Sequence, residues 1–237
     1  SGVLNEVGDI DSTVSANTAS GFSIVSYTGN GTNSTVGHGL NTAPEVVIVK
    51  DRDRTTEWPV MAQAANSGNG HLGYLRLNGT YAWGTTSILW NNTAPTSSVF
   101  SIGTYDYVNF NNSKYIAYCF APIEGYSSFG SYTGNGSADG PFVYTGFRPA
   151  FLIIKKATGS VNANAGWILK DATRDVDNVV SATLQAESAG AEYTSGSEDF
   201  LSNGFKIRTN NIGQNTSGST YIYMAFAENP FKNALAR

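Results

Sequence analysis

The string SYTGNG at Ser26–Gly31 returns unchanged at Ser131–Gly136. It is the first of five landmarks that recur in the same order at an offset of about 105 positions. APEVVIVK (Ala43–Lys50) falls on RPAFLIIKK (Arg148–Lys156), with Pro44 over Pro149. EWPVMAQA then falls on GWILKDAT, which places Trp58 over Trp167. SVFSI (Ser98–Ile102) meets NGFKI (Asn203–Ile207), and YIAYCFAPIEG (Tyr115–Gly125) meets YIYMAFAENPF (Tyr221–Phe231). Ordered self-similarity of this kind is the mark of duplication. The chain therefore has to fold as two copies of one unit, 21–127 and 128–237.

Each landmark reads as a strand. EVVIVK and FLIIKK are β-branched apolar runs bounded by Pro and charge, and YIAYCFA and YIYMAFA have no helical period. FSIVSYT alternates and then meets GNG, a turn signal, because Gly and Asn accept positive φ. Clusters of Gly, Asn and Ser recur every 8–12 residues, a spacing that suits a sandwich or barrel. The expected fold is all-β: two homologous antiparallel β-sandwich modules in tandem, jelly-roll-like. WPVMAQAAN and VVSATLQAES are the two places where a turn or short helix is expected. Residues 1–20 read as a linker or the end of a stalk, with a short helical stretch in NEVGDIDSTVSAN, and the opening suggests a piece excised from a longer protein. The doubled SYTGNG itself is expected to serve shape rather than chemistry.

Charged residues make up 14% of the chain, against roughly 25% in an average soluble protein. Polarity is carried by Asn, Ser, Thr and Gly instead, which suits neutral hydrogen bonding to sugars. Net charge is −4 and no run of Lys or Arg occurs, so nucleic acid is not an expected partner. No apolar run approaches the ~20 residues of a membrane span, so no membrane insertion is expected. Cys119 is the one cysteine, so an internal disulfide is excluded, and its apolar context predicts an inert strand residue.

Catalytic and metal motifs are sparse. His38 and His71 have no close His, Cys or acidic partner in sequence; His38 meets only Val143 in the second copy. No G-x-S-x-G elbow and no phosphate-cradling Gly-rich motif occurs. The carboxylates available for hydrolysis are Asp51, Asp53 and Glu57 in one copy and Asp171, Asp175 and Asp177 in the other, and the copies share no acidic pair. Asp171, Asp175, Asp177 and Asn178 lie close together but lack the EF-hand pattern. The expectation is no metal, no cofactor and no enzymatic activity. The N-x-S/T strings at Asn33, Asn78, Asn91 and Asn215 follow from composition.

Aromatic residues are more informative, at 12% of the chain with thirteen Tyr and four Trp. Trp58 and Trp167 match across the copies and are assigned to packing. Tyr81, Trp83, Trp90, Tyr105 and Tyr107 lie in or beside Asn/Ser/Thr-rich, loop-like segments of copy one. Exposed aromatic rings beside Asn form a platform for a sugar ring. These five are the candidate ligand-binding residues.

Four stretches carry a resemblance: GFSIVSYTGNGT through VGHGLNTAPEVVIVK, LWNNTAPTSSVFSIG, YIAYCFAPIEGYSSFGSYTGNGSADGPFVYTGFRPAFLIIKK, and YIYMAFAENPFKNALAR. They resemble a duplicated C-terminal β domain of tail-fibre and structural proteins from marine and freshwater bacteriophages, including those that infect cyanobacteria. The resemblance runs from Gly21 to Arg237. It implies a virion protein made in the bacterial cytoplasm, and a fibre or spike tip that binds host-surface polysaccharide or another receptor without hydrolysis. It implies self-association, as a homotrimer, and contacts with other virion proteins. It carries no catalytic or binding residues. A purely structural virion module is the alternative, and a polysaccharide depolymerase the weaker one.

Overall fold

A computed structural model describes residues 2–159 and 165–228. The chain divides into two compact units, one of residues 1–77 and 83–122, the other of residues 78–82 and 123–237. Both are built almost wholly of antiparallel strands.

The first unit contains β1 (Val3–Asn5), β2 (Ser12–Asn17), β3 (Phe22–Thr28), β4 (Ser34–Gly37), β5 (Val46–Asp51), β6 (Pro59–Ala62), β7 (Gly73–Arg76), β8 (Gly84–Thr85), β9 (Val99–Ile102) and β10 (Lys114–Phe120). One sheet runs in the order β1-β2-β3-β10-β5-β6-β7-β8, while β4 and β9 pair separately. A single helical turn, α1 (Asp106–Asn109), precedes β10. Inward residues of the large sheet, among them Val25, Tyr27, Val47, Val49 and Tyr115, share one apolar core with Val36, Phe100 and Ile102 of the β4–β9 pair. Central β10 alternates exposed or half-buried residues with buried Tyr115, Ala117 and Cys119.

The second unit contains β11 (Ser127–Thr133), β12 (Phe142–Tyr144), β13 (Pro149–Lys156), β14 (Trp167–Asp171), β15 (Val180–Gln185), β16 (Tyr193–Leu201), β17 (Gly204–Ile207) and β18 (Thr220–Ala227), with the turn α2 (Ile212–Asn215). Its strands form one run, β11-β18-β13-β14-β15-β16-β17-β12.

Register makes the repeat explicit. Tyr115 pairs with Tyr27 and Asp51, and Tyr221 pairs with Tyr132 and Lys156. Val46 pairs with Ala62, and Phe151 with Asp171. Counting back along β6 and β14 from those pairs sets Trp58 over Trp167 and Met61 over Lys170. The sequence alignment of the two tryptophans is thus the structural one. Trp167 is buried and Trp58 half-buried.

Three expectations are corrected. Residues 1–20 are no stalk: β2 pairs with β3 along its length and β1 pairs with β2. The alternation is masked in sequence because Ser12 as well as Val14 points inward, and Ile10 joins the same core. VVSATLQAES forms β15 rather than a helix, because its backbone pairs with both β14 and β16. His38 stands opposite Thr145, not Val143: β4 pairs Val36 with Phe100 as β12 pairs Val143 with Phe205, two positions earlier in each copy. The last repeat landmark ends at Pro230 and Phe231, which lie outside the described residues, as does the rest of copy two to Arg237.

Candidate functional site

The doubled SYTGNG is a structural lock in both units. Tyr27 stacks on Tyr115 with ring centroids 5.2 Å apart, and Tyr132 stacks on Tyr221 at 5.2 Å. The Tyr27 hydroxyl donates to Val108 O at 2.7 Å and the Tyr132 hydroxyl to Gln214 O at 2.7 Å. The fully buried Asn109 accepts from Asn30 N at 2.8 Å and donates to Thr32 O and Gly103 O at 2.6 and 2.9 Å. Asn215 repeats this on Asn135 N, Ser137 O and Thr209 O at 2.8, 2.7 and 2.8 Å. A side chain on Gly29 or Gly134 would strike Phe110 O or Thr216 O, at 2.4 and 2.3 Å. The Tyr and Asn of each string are engaged within their own unit, which supports a role in shape.

His38 is buried, with Nδ1 accepting from Leu40 N at 3.2 Å and Nε2 donating to Thr96 O at 3.2 Å. Burial lowers its pKa, so it stays neutral and structural. Asp175 receives Ser181 N and Ala182 N at the start of β15, and Asp171 holds Arg174. Those carboxylates therefore serve turns. Asp51 and Arg54 form a similar pair, extended to Asp106 and Ser113.

The five aromatic candidates do not form one platform. Trp90 is fully buried, and its indole N–H donates to Gly73 O at 3.0 Å. It belongs to the core, because its Asn-rich neighbours turn the chain while the ring points inward. Trp83 is half-buried over the Gly73 backbone and donates to Gly70 O at 3.3 Å. Tyr81 is 58% exposed, and its segment groups with the second unit. Tyr105 and Tyr107 come together, edge to face at 4.6 Å.

That pair has partners which the sequence reading missed. Tyr74 and Arg76 project from the same face of β7, at alternate positions whose neighbours Gly73 and Leu75 are buried. Arg76 Nη2 donates to the Tyr74 hydroxyl at 2.7 Å, and its guanidinium lies 5.2 Å from the Tyr74 ring centre. Tyr74, Tyr105 and Tyr107 all rest, half-buried, on the first core. Partial burial, a hydrogen bond with Tyr105 and the nearby Glu57 and Tyr74 raise the Tyr107 pKa, so its hydroxyl remains protonated at neutral pH. The result is three Tyr rings, one Arg and one Glu on a single face. Such a face offers apolar rings for stacking and both donors and acceptors beside them. The clue in the sequence was the alternation in GYLR, but its Tyr lies outside the loop-like segments where aromatic residues attract notice.

The family model of a domain of unknown function, DUF7483, matches residues 1–230, and the chain belongs to that family. No curated protein and no solved structure shows significant similarity to it.

Proposed function

We propose that this member of the DUF7483 family is a non-catalytic recognition module of a bacteriophage virion, a tail-fibre or spike tip that binds host-surface glycan. The observation that carries the reading is the face made by Tyr74, Tyr105, Tyr107, Arg76 and Glu57. Half-buried rings braced by a core lose little freedom on binding, which favours them as stacking surfaces. The low charge and high Asn, Ser and Thr content fit neutral hydrogen bonding, and the resemblance to phage fibre domains favours a virion location. Each unit is read as a β-sandwich module. In support, the first core is filled both by the eight-stranded sheet and by the β4–β9 pair. Presentation of several copies in a homotrimer raises weak single-site affinity by orders of magnitude.

Binding of the purified chain to host cells and extracted surface polysaccharide tests the reading, with released sugar assayed in parallel. Tyr107→Ala and Tyr74→Ala are expected to weaken binding at least tenfold, about 1.4 kcal/mol, while the chain still melts cooperatively at a lowered temperature. Unaltered binding in both variants sinks the assignment of this face. Release of sugar sinks the non-catalytic reading.

A structural virion module is the second reading, favoured by one observation. The β1 edge exposes Val3 and Leu4, with Val7 beside them. An exposed apolar edge strand is a place for another chain to pair. Self-association or docking to a virion protein without any glycan binding would select this reading.

A further inference from the structure

The second unit contains a cavity of about 130 Å³ lined by Ile168, Gln185, Tyr193, Ser195 and Asn211. Engineered cavities of roughly 150 Å³ accept a benzene ring, so this one, which is open on one side, takes in one edge of a sugar ring and leaves its other hydroxyls outside. Its walls come from β14, β15 and β16 and from the residue that caps α2. Ile168 and Gln185 are cross-strand partners. Asn211 is fixed at both ends of its amide: Oδ1 accepts from Gly213 N at 2.8 Å and Nδ2 donates to Ser195 Oγ at 3.2 Å. The Ser195 hydroxyl proton and the second Nδ2 proton are left over. Neither the Gln185 amide nor the Tyr193 hydroxyl bonds any described residue, although both line the space.

No charged side chain lines the cavity among the described residues. The buried Lys170 ammonium is taken up by Ser181 O, Thr183 Oγ1 and Ser195 O at 2.9, 2.7 and 2.9 Å, and pairs with Glu198. Lys170 thereby holds Ser195 in place without offering its charge to an occupant. An anion would find no cation among the described lining residues, and the carboxylate near Tyr193, that of Glu187, already accepts from Trp167 N at 2.9 Å. A purely apolar ring would strand the amide and hydroxyl groups. Ile168 and the Tyr193 ring supply apolar surface, and Gln185, Ser195, Asn211 and the Tyr193 hydroxyl supply neutral donors and acceptors.

We propose that the cavity lined by Ile168, Gln185, Tyr193, Ser195 and Asn211 binds one neutral pyranose ring. This site is separate from the tyrosine face of the first unit and does not rest on it. The first unit has Pro59 in the register position of Ile168, so duplication alone does not reproduce the cavity there.

The test is an amide-resolved NMR titration of the full chain with D-glucose, D-galactose and N-acetyl-D-glucosamine, with glucuronate and glucosamine as charged controls. The expected result is saturable shifts of the Gln185 side-chain amide and of the Ser195 and Asn211 backbone amides with at least one neutral sugar, and weaker shifts with the charged ones. Gln185→Ala and Tyr193→Phe are expected to raise the dissociation constant at least tenfold, with the rest of the spectrum intact. Tyr107→Ala is expected to leave these shifts unchanged, which separates this site from the tyrosine face. Absence of shifts at these residues with all three neutral sugars overturns the proposal. So does equal or tighter binding of the charged sugars, or binding that survives both substitutions.

Discussion

One asparagine per unit holds the turn that the doubled string makes. Asn109 and Asn215 each satisfy backbone groups from two separate segments, from a position with no access to water. Removing either amide leaves its partners unbonded, Gly103 O buried and the others part-buried, at a cost of about 1–3 kcal/mol where water cannot replace the bond. Asn109→Ala and Asn215→Ala are therefore each expected to lower stability by roughly 3 kcal/mol, read as a shift in the urea midpoint. Asn→Asp at either site is expected to be as damaging, since a carboxylate cannot donate to the two carbonyls. The lock was half legible in sequence. SYTGNG announced a turn and its repetition announced a need, but the residue that holds it lies 79 positions away from Asn30. Asn109 sits in DYVNFNN, where nothing marks one Asn above its neighbours. Trp90 failed for the opposite reason: its neighbours looked like a loop, and they are, but burial belongs to side chains rather than segments.

At the scale of elements, the copies agree where the chain crosses the middle of each sheet and part where it leaves. β3-β10-β5-β6 and β11-β18-β13-β14 share register apart from a shift between Pro149 and Phe151 where β13 meets β18. These strands were readable because their inward positions alternate along the chain and are rich in β-branched and aromatic residues. β15 and β16 were not, since their Ser, Thr and Gly content follows pairing and not burial. The same divergence puts Lys170 where β6 has Met61. Lys170 and Glu198 are both fully buried, 3.5 Å apart, with Gln214 also bonded to Glu198. Buried pairs gain little over apolar packing, whereas breaking one side leaves a bare charge. Lys170→Met is thus expected to cost about 3–5 kcal/mol, and Lys170→Met with Glu198→Leu to recover most of it. Denaturant titrations of the two variants decide this; a double variant no better than the single one would show that the pair itself stabilises the unit.

For the whole molecule, the buried carboxyl sets the response to pH. Burial pushes Glu198 up to about 7, against the pull of Lys170 and Gln214. The folded state therefore favours the protonated acid. Its contribution is full below the ordinary carboxylate range and is lost as pH climbs to about 7. Asp175, held down by the Ala182 and Ser181 amides, acts with the opposite sign: its contribution is present at neutral pH and disappears as pH falls below the ordinary range. Burial brings Lys155 down to about 8, so it adds slope only above that value. Glu198 is expected to lower stability between pH 5 and pH 7 by on the order of 1–2 kcal/mol, while His38 and His71, whose pKa values burial lowers, act with the opposite sign in the same window, so the drop is read as the difference between the melting curves of the unmodified chain and Glu198→Gln. Cys119 gives a second global readout. It is fully buried in central β10, and desolvation drives its thiol up to about 12. Thiol reagents are expected to label it only at the rate at which the first unit opens, so labelling in native buffer should be far slower than in urea.

The pairing of β3 with β10 has a consequence for synthesis. The partners in the Tyr27–Val108 bond are 81 residues apart, and the turn beside it waits for Asn109. At about 5–20 residues per second, the ribosome leaves the first SYTGNG exposed for roughly 4–16 s before its lock emerges. During that interval β3 is an open edge on a nascent chain. Its Ser and Thr content, and the pairing of β2 that is already available to it, shield a strand that would otherwise meet its near-duplicate on a neighbouring chain.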